Sequence, residues 1–338
     1  MAAIDEIEAA ILEDPDQTDA YLVLADALLE RGDPRGELIV VQHQLLARPD
    51  DAALRQHERR LIDAALQELG GLPLGALEWR LGFIRRAELD VAKQPHPDRT
   101  LRALLDHPSA QLMTELRVSC GWGDATLPID ALAERPRPGL RGLALLEELG
   151  DHEPGCRHAP DRLWPMLPKL ERLHLRSERP LFHSVVHPRI ERLDLDVGPL
   201  CDEGRWVLPS LRVLDWDPHI EAEVDIGVFD RLWEQELPAL RELVLRGALV
   251  AFAPTLERPE VRRFISRLEH LCVPADGLLP YRGDVLLAEQ LVANASHLDH
   301  LASMTVTGVD PETAGDLVEA RRRLPRLVLD EGGRPRGA

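Results

Sequence analysis

Aromatic residues are scarce: five Phe, six Trp and two Tyr make up 4% of 338 residues. That is too few for a surface built on stacked bases. Basic charge is short as well, with 40 Lys and Arg against 59 Asp and Glu, a formal charge of −19. Nucleic acids and anionic membranes call for a basic face, so neither is expected as a partner. Long apolar runs are missing; the stretch at Ala248–Ala253 falls far short of the roughly 20 residues needed to span a bilayer. The first twenty residues hold no Lys or Arg, which argues against a secretory signal. Cysteine is confined to Cys120, Cys156, Cys201 and Cys272, with no C-x-x-C pair. Free thiols in a reducing cytoplasm are the expectation. Phosphate-cradling and nucleophile-elbow motifs are absent: no G-x-x-x-x-G-K-[ST], no G-x-G-x-x-G, no G-x-S-x-G. His152-Glu153 does not complete H-E-x-x-H, because position 156 is Cys. No enzyme activity and no cofactor are expected. What remains is 44% apolar and 29% charged, a globular composition.

The charge is uneven. Residues 1–70 hold 16 acids and 6 Arg, or −10 of the −19, which leaves −9 for the other 268. This acidic part has helical spacing. Ile4, Ile7 and Ile11 mark one helix; after Asp14-Pro15-Asp16 come Tyr21, Leu24, Ala25 and Leu28. Arg31-Gly32-Asp33-Pro34 reads as a stop and a restart, Gly for a left-handed C-cap and Pro for the next first turn. A third helix carries Leu38, Val41, Leu45 and Leu46, and a fourth runs from Pro49-Asp50-Asp51 to Gly70-Gly71. Asp26, Glu30, Asp33 and Glu37 read as solvated acids near helix ends. Residues 1–75 are therefore expected to be an all-α cap, 76–330 a second region of about ten strands, and 331–338 a flexible tail.

From about residue 76 a short pattern recurs: apolar, two variable, Leu, one variable, apolar. It appears at Leu140–Leu145, Leu170–Leu175, Ile190–Leu195, Leu211–Trp216, Leu240–Leu245, Leu268–Val273 and Leu324–Leu329. Leu112–Val118 is a looser copy, and Leu298–Val306 is another of ambiguous register. The central residues run from Leu116 to Leu327, 211 residues in eight steps, about 26 per step. A proline precedes several copies, at Pro168, Pro188, Pro209 and Pro238. Each copy reads as a strand with alternate residues inward, and one such unit buries its apolar face only by stacking on the next.

These residues resemble a leucine-rich repeat protein from roughly Leu77 to Asp330. The resemblance implies an α/β solenoid: a curved parallel sheet with a variable helical or loop convex side. The chain departs from that family at the turns, where Asn is usual; its single Asn is Asn294. An irregular horseshoe is therefore expected. The stretch Tyr21-Leu-Val-Leu-Ala-Asp26 through Arg31-Gly32-Asp-Pro-Arg-Gly36-Glu37 resembles the bacterial "repeat-companion" helical domain, with Ala27 where that family usually has Trp. Trp79–Leu89 resembles the first strand that follows it. The resemblance implies architecture and bacterial origin, not chemistry.

Two constellations are candidates for function. On the outward side of the strands, Arg172, His174, Arg176, Arg192, Asp194, Asp196, Asp215, Asp217, Glu242 and Arg246 fall in rows about 4.8 Å apart. The four Asp are expected to form an acidic patch flanked by Arg172 and Arg176 on one side and Arg246 on the other. Because these side chains point away from the core, reversing Asp194, Asp215 and Asp217 to Arg is expected to leave folding intact. This face is the expected docking surface for another protein, bound by a monomer or within a hetero-complex. The alternative is a metal-binding or ligand-sensing subunit using His152, Cys156, His158, His183, His187 and Cys201, soft ligands in successive insertions. A further alternative is an acidic inhibitor or immunity protein masking a basic effector.

Overall fold

The computed structural model describes residues 2–69, 76–94, 96–121, 126–148, 161–177, 181–197, 205–217, 232–246, 256, 258–274, 289, 291–309 and 317–330. The 331–338 tail lies outside them. Among the described residues the chain is α/β, with eleven strands in mostly parallel pairing and two more in a second small sheet. It divides into two compact units, residues 1–148 with 162–170, and 149–161 with 171–338. Among the described residues no helix is long and apolar enough to cross a membrane.

The first unit begins with α1 (Ala2–Glu13), α2 (Thr18–Leu29), α3 (Pro34–Ala47) and α4 (Ala52–Glu68), where the sequence spacing puts them. Gly32 takes φ +70° after α2, and the Asp33 side chain accepts from the Arg35 backbone N–H to start α3. Asp51 caps α4 in the same way, through Ala53 and Leu54. Ile11, Tyr21, Leu24, Leu28 and Ile39 share one core with Leu81, Phe83 and Leu112. The cap thus closes over the first strands. Tyr21 meets Phe83 edge-on at 6.1 Å, and the Arg35 guanidinium lies 5.3 Å from the Phe83 ring centroid. The last carbonyls of α1 are satisfied by basic side chains: Lys169 Nζ donates to Leu12 O at 2.9 Å, and Arg141 Nη2 donates to Glu13 O at 3.1 Å.

Trp79–Leu89 is a hairpin, not the single strand expected there. β1 (Leu77–Arg80) runs antiparallel to β2 (Phe83–Asp90). The two loop residues, Leu81 at φ +46° and Gly82 at φ +81°, both lie in the left-handed region, as a type I′ turn demands. A leucine is a poor residue there, and its burial against the cap helices compensates. The turn is locked from above: Gln42 Oε1 accepts from Gly82 N at 2.8 Å while Gln42 Nε2 donates to Glu58 Oε1 at 2.8 Å. β3 (Glu115–Cys120) and β4 (Gly142–Glu147) follow in parallel, with α5 (Pro97–Asp106) and α6 (Thr126–Leu132) packed on each other between successive strands.

In the second unit, β5 (Arg172–Ser177), β7 (Arg192–Val197), β9 (Val213–Asp217), β10 (Glu242–Leu245), β11 (His270–Pro274), β12 (Ser303–Thr307) and β13 (Leu327–Asp330) lie side by side in chain order. The register matches motif to motif: Leu173, Leu193, Leu214, Leu243, Leu271, Met304 and Leu327 occupy one rung line. All are buried. The ambiguous copy resolves with Met304 and Val306 inward. Leu301 closes its lead-in turn by donating its N–H to Leu298 O at 3.1 Å.

That turn is a recurrent device of the chain. Leu170 N donates to Leu167 O, Leu211 N to Leu208 O, Leu240 N to Leu237 O, and Leu327 N to Leu324 O, at 2.9–3.3 Å. Each spans four residues, and Pro168, Pro209, Pro238 and Pro325 sit second, where a fixed φ suits a type I turn. The flanking Leu residues are buried, so the turn is held by its own apolar ends. At Pro188 the residue before the proline is His187, whose Nδ1 accepts from Arg189 N at 3.2 Å. One further carbonyl per strand completes the device. Glu171 O accepts from both Glu191 N and Arg192 N, Glu191 O from Arg212 N and Val213 N, Arg212 O from Arg241 N and Glu242 N. These bonds fix where each strand begins against the one before it. A second small sheet, unsignalled in the sequence, pairs β6 (Val185–Val186) with β8 (Trp206–Val207).

Candidate partner-binding face

The pleat sends alternate residues of β5, β7, β9 and β10 to the side opposite the core, and the parallel register lines them up. Arg172, Arg192, Val213 and Glu242 form one row; His174, Asp194, Asp215 and Val244 form the next. Arg176, Asp196 and Asp217 form a third, with Arg246 just past the end of β10. All ten expected residues are thus on one side, and β5–β10 bring them together.

Their charges do not stay apart as the sequence reading supposed. The arginines fold onto the carboxylates. Arg246 grips Asp215 with two parallel bonds, Nε to Oδ1 at 2.7 Å and Nη2 to Oδ2 at 2.6 Å. Such a fork matches carboxylate geometry and is stronger than a single contact. Arg192 holds Asp194 at 2.9 Å and reaches Asp215 at 3.7 Å. Arg176 Nε donates to Asp196 Oδ2 at 3.2 Å, and His174 Nε2 lies 3.4 Å from the same oxygen. The face is a mosaic of paired charges. Only 10% of the Asp215 side chain is exposed, so it is a buried carboxylate between two guanidiniums and not a free outward acid. Reversing it would strand Arg246 and Arg192 beside a third cation, so that change is expected to cost stability.

The pairing shifts the titrations. Hydrogen bonds to Asp194 and Asp215 raise Arg192 and Arg246 above their ordinary values. At Asp196 burial works against ionisation, yet the hydrogen bonds and charges of His174 and Arg176 outweigh it and hold the carboxyl at about 2. Its folded value is therefore below the ordinary 3.8, so its contribution is present above about pH 4 and lost as pH falls towards 2. That contribution is about 2 kcal/mol. Urea melts of the wild type and Asp196→Asn should differ by that amount at pH 6 and by only about a third of it at pH 2.5. A gap unchanged at pH 2.5 would show that Asp196 is not held in this way.

The metal alternative places differently. His152, Cys156, His158 and Cys201 lie outside the described residues. His187 is buried with Nδ1 engaged by the turn, and His183 is half-buried. Among the described residues no group of three His, Cys, Asp or Glu could hold a metal ion. Among the described residues Cys120 and Cys272 form no disulfide; Cys120 Sγ donates to Leu146 O at 3.6 Å, and burial pushes Cys272 up, away from reactivity.

Two cavities that the sequence reading did not identify flank Trp79 in the first unit, of about 450 and 400 Å³. Their walls come from α3, α4, β1 and the segment His107-Pro108-Ser109, residues far apart in sequence with no spacing signal. Compared with known proteins, the chain matches no protein-family model and has no significant match among curated proteins.

Proposed function

We propose that this chain is a non-enzymatic protein–protein interaction module of the cytoplasm. In this reading it is a leucine-rich-repeat-like solenoid, capped by helices of the repeat-companion kind. A protein partner docks on the outward face of β5, β7, β9 and β10. The observation that carries the reading is the Arg–Asp mosaic of Arg176, Arg192, Asp194, Asp196, Asp215 and Arg246. Side chains already fixed by mutual pairing lose little freedom on association, and a set pattern of charge admits a partner in one register only. Rim charges such as Glu242 would then steer the encounter in a salt-dependent way.

Photo-crosslinking tests the reading. A benzophenone side chain at Val213 or Val244, both outward and free of the ion pairs, should capture the same discrete protein in native lysate. A probe at Val186, on the second small sheet, should not. Excess wild-type chain should compete the adduct away. Capture equal at all three positions, or none at Val213 and Val244, would overturn the assignment of this face.

A further inference from the structure

β13 (Leu327–Asp330) stands last in the large sheet, with β12 on one side and no strand on the other among the described residues. Such an edge offers unpaired backbone groups to another chain unless a proline, a bulge or an inward charge blunts it. None of these interrupts Leu327-Val328-Leu329-Asp330. The ladder shows which groups face out. Arg326 O accepts from Met304 N at 3.4 Å and Asp330 O from Val309 N at 3.2 Å, so the even-numbered residues bond towards β12. The alternation of a strand then turns the Leu327 carbonyl and both backbone groups of Leu329 to the open edge. Side chains at this edge are apolar and only partly covered: Val328 is 52% exposed and Leu329 half-buried. Charge brackets them. Arg326 comes before, exposed, with one N–H donated to Leu301 O at 2.9 Å, and Asp330 comes after.

The segment Arg326-Leu-Val-Leu-Asp330 is complementary to its own reverse: apolar meets apolar, and cation meets anion at both ends. We infer that a second copy of this chain pairs with β13, antiparallel, about a two-fold axis at Val328. In this register Leu329 N–H of each copy donates to Leu327 O of the other. Val328 meets Val328 at the non-hydrogen-bonded position, where side chains come closest. On the outward side Arg326 faces Asp330 twice, and on the inward side the half-buried Leu329 is covered by Leu327 of the second copy. The contact is isologous, so assembly at this edge closes at two chains. Four residues of strand make a small interface, and the dimer is accordingly a weak one. The edge lies beyond β11 and β12 from the partner face and does not depend on that reading.

The test uses the full chain at about 0.15 M salt, which screens the repulsion between two chains of formal charge −19. Val328→Cys should give a disulfide-linked dimer under mild oxidation, because Cα atoms at a non-hydrogen-bonded pair lie about 4.5 Å apart, within the roughly 4.4–6.8 Å that a disulfide spans. Peptide mapping should place the bond between the two copies of position 328. Val186→Cys, just as exposed at 53%, should not cross-link. Sedimentation equilibrium from micromolar to millimolar chain reads the charges. Asp330→Arg sets Arg against Arg326 at two places and should weaken the wild-type dimer about tenfold. Arg326→Asp combined with Asp330→Arg exchanges both signs and should restore it. A wild type that is monomeric throughout, the result expected if another part of the chain lies along β13, overturns the pairing. So does cross-linking that is equal at positions 186 and 328. A dimer unmoved by Asp330→Arg overturns the register.

Discussion

Leu214→Ala should lower the unfolding free energy by about 2–5 kcal/mol, the range for a large buried side chain cut back to a methyl group. Leu214 is fully buried and sits at the centre of the rung line, between Leu193 on one side and Leu243 on the other. Both neighbours belong to separate strands with their own turns, so neither can slide in to fill the space. The site should relax little, and the loss should lie towards the upper end of the range. A control is Val328→Ala, on the terminal strand, where the side chain is 52% exposed and the loss should stay within about 0.5 kcal/mol. Chemical denaturation of both variants at neutral pH decides the matter. Similar midpoints for the two would mean that the rung line is not the core.

Gly82→Ala should be comparably severe although it adds only one carbon. A Cβ at position 82 would stand 2.5 Å from Ile39 Cγ1 and 2.9 Å from the Arg35 carbonyl oxygen. The backbone there has φ +81°, a region that costs a side-chain-bearing residue roughly 1–2 kcal/mol by itself. Displacing α3 adds an overpacking cost of roughly 1–3 kcal/mol. The sum, about 2–5 kcal/mol, should be accompanied by loss of the Gln42–Gly82 bond. The Gly82 amide should then exchange with solvent far faster than in wild type at equal denaturant. Gly32→Ala serves as the comparison: it shares the positive φ but has nothing within 4 Å, so it should show the conformational cost alone. If the two variants lose the same stability, the close approach of α3 to the hairpin is not what constrains position 82.

These two positions mark what a sequence shows and what it hides. Leu214 was legible because a period-2 pattern repeated many times points to one face, and helical spacing likewise located the four helices α1 to α4. The hairpin at Leu81–Gly82 was not, because Leu is an unusual partner for Gly in such a turn and only the cap helices, distant in sequence, make it tolerable. At the candidate face the residues were legible and their state was not. Strand alternation names Asp194, Asp196 and Asp215 as outward, but which guanidinium reaches which carboxylate depends on side-chain length across strands. Arg246 crosses to Asp215 from a position 31 residues later. The Trp79 cavity had no signal at all, since its walls meet only after the helices have packed on β1.

The doubled carbonyl at the head of each strand separates spacing from alignment. Successive acceptors at Glu171, Glu191, Arg212, Arg241 and Glu269 are 20, 21, 29 and 28 residues apart, yet each receives the next strand through the same pair of N–H groups. Whatever length the chain spends between strands, the following one is set back into frame at its first residue. Segments between strands are therefore free to lengthen or shorten one at a time, without an error that propagates down the sheet. Buried residues between the strands, such as Phe182, Trp206 and Phe264, still tie these segments to the core, so it is their length that is released and not their apolar content.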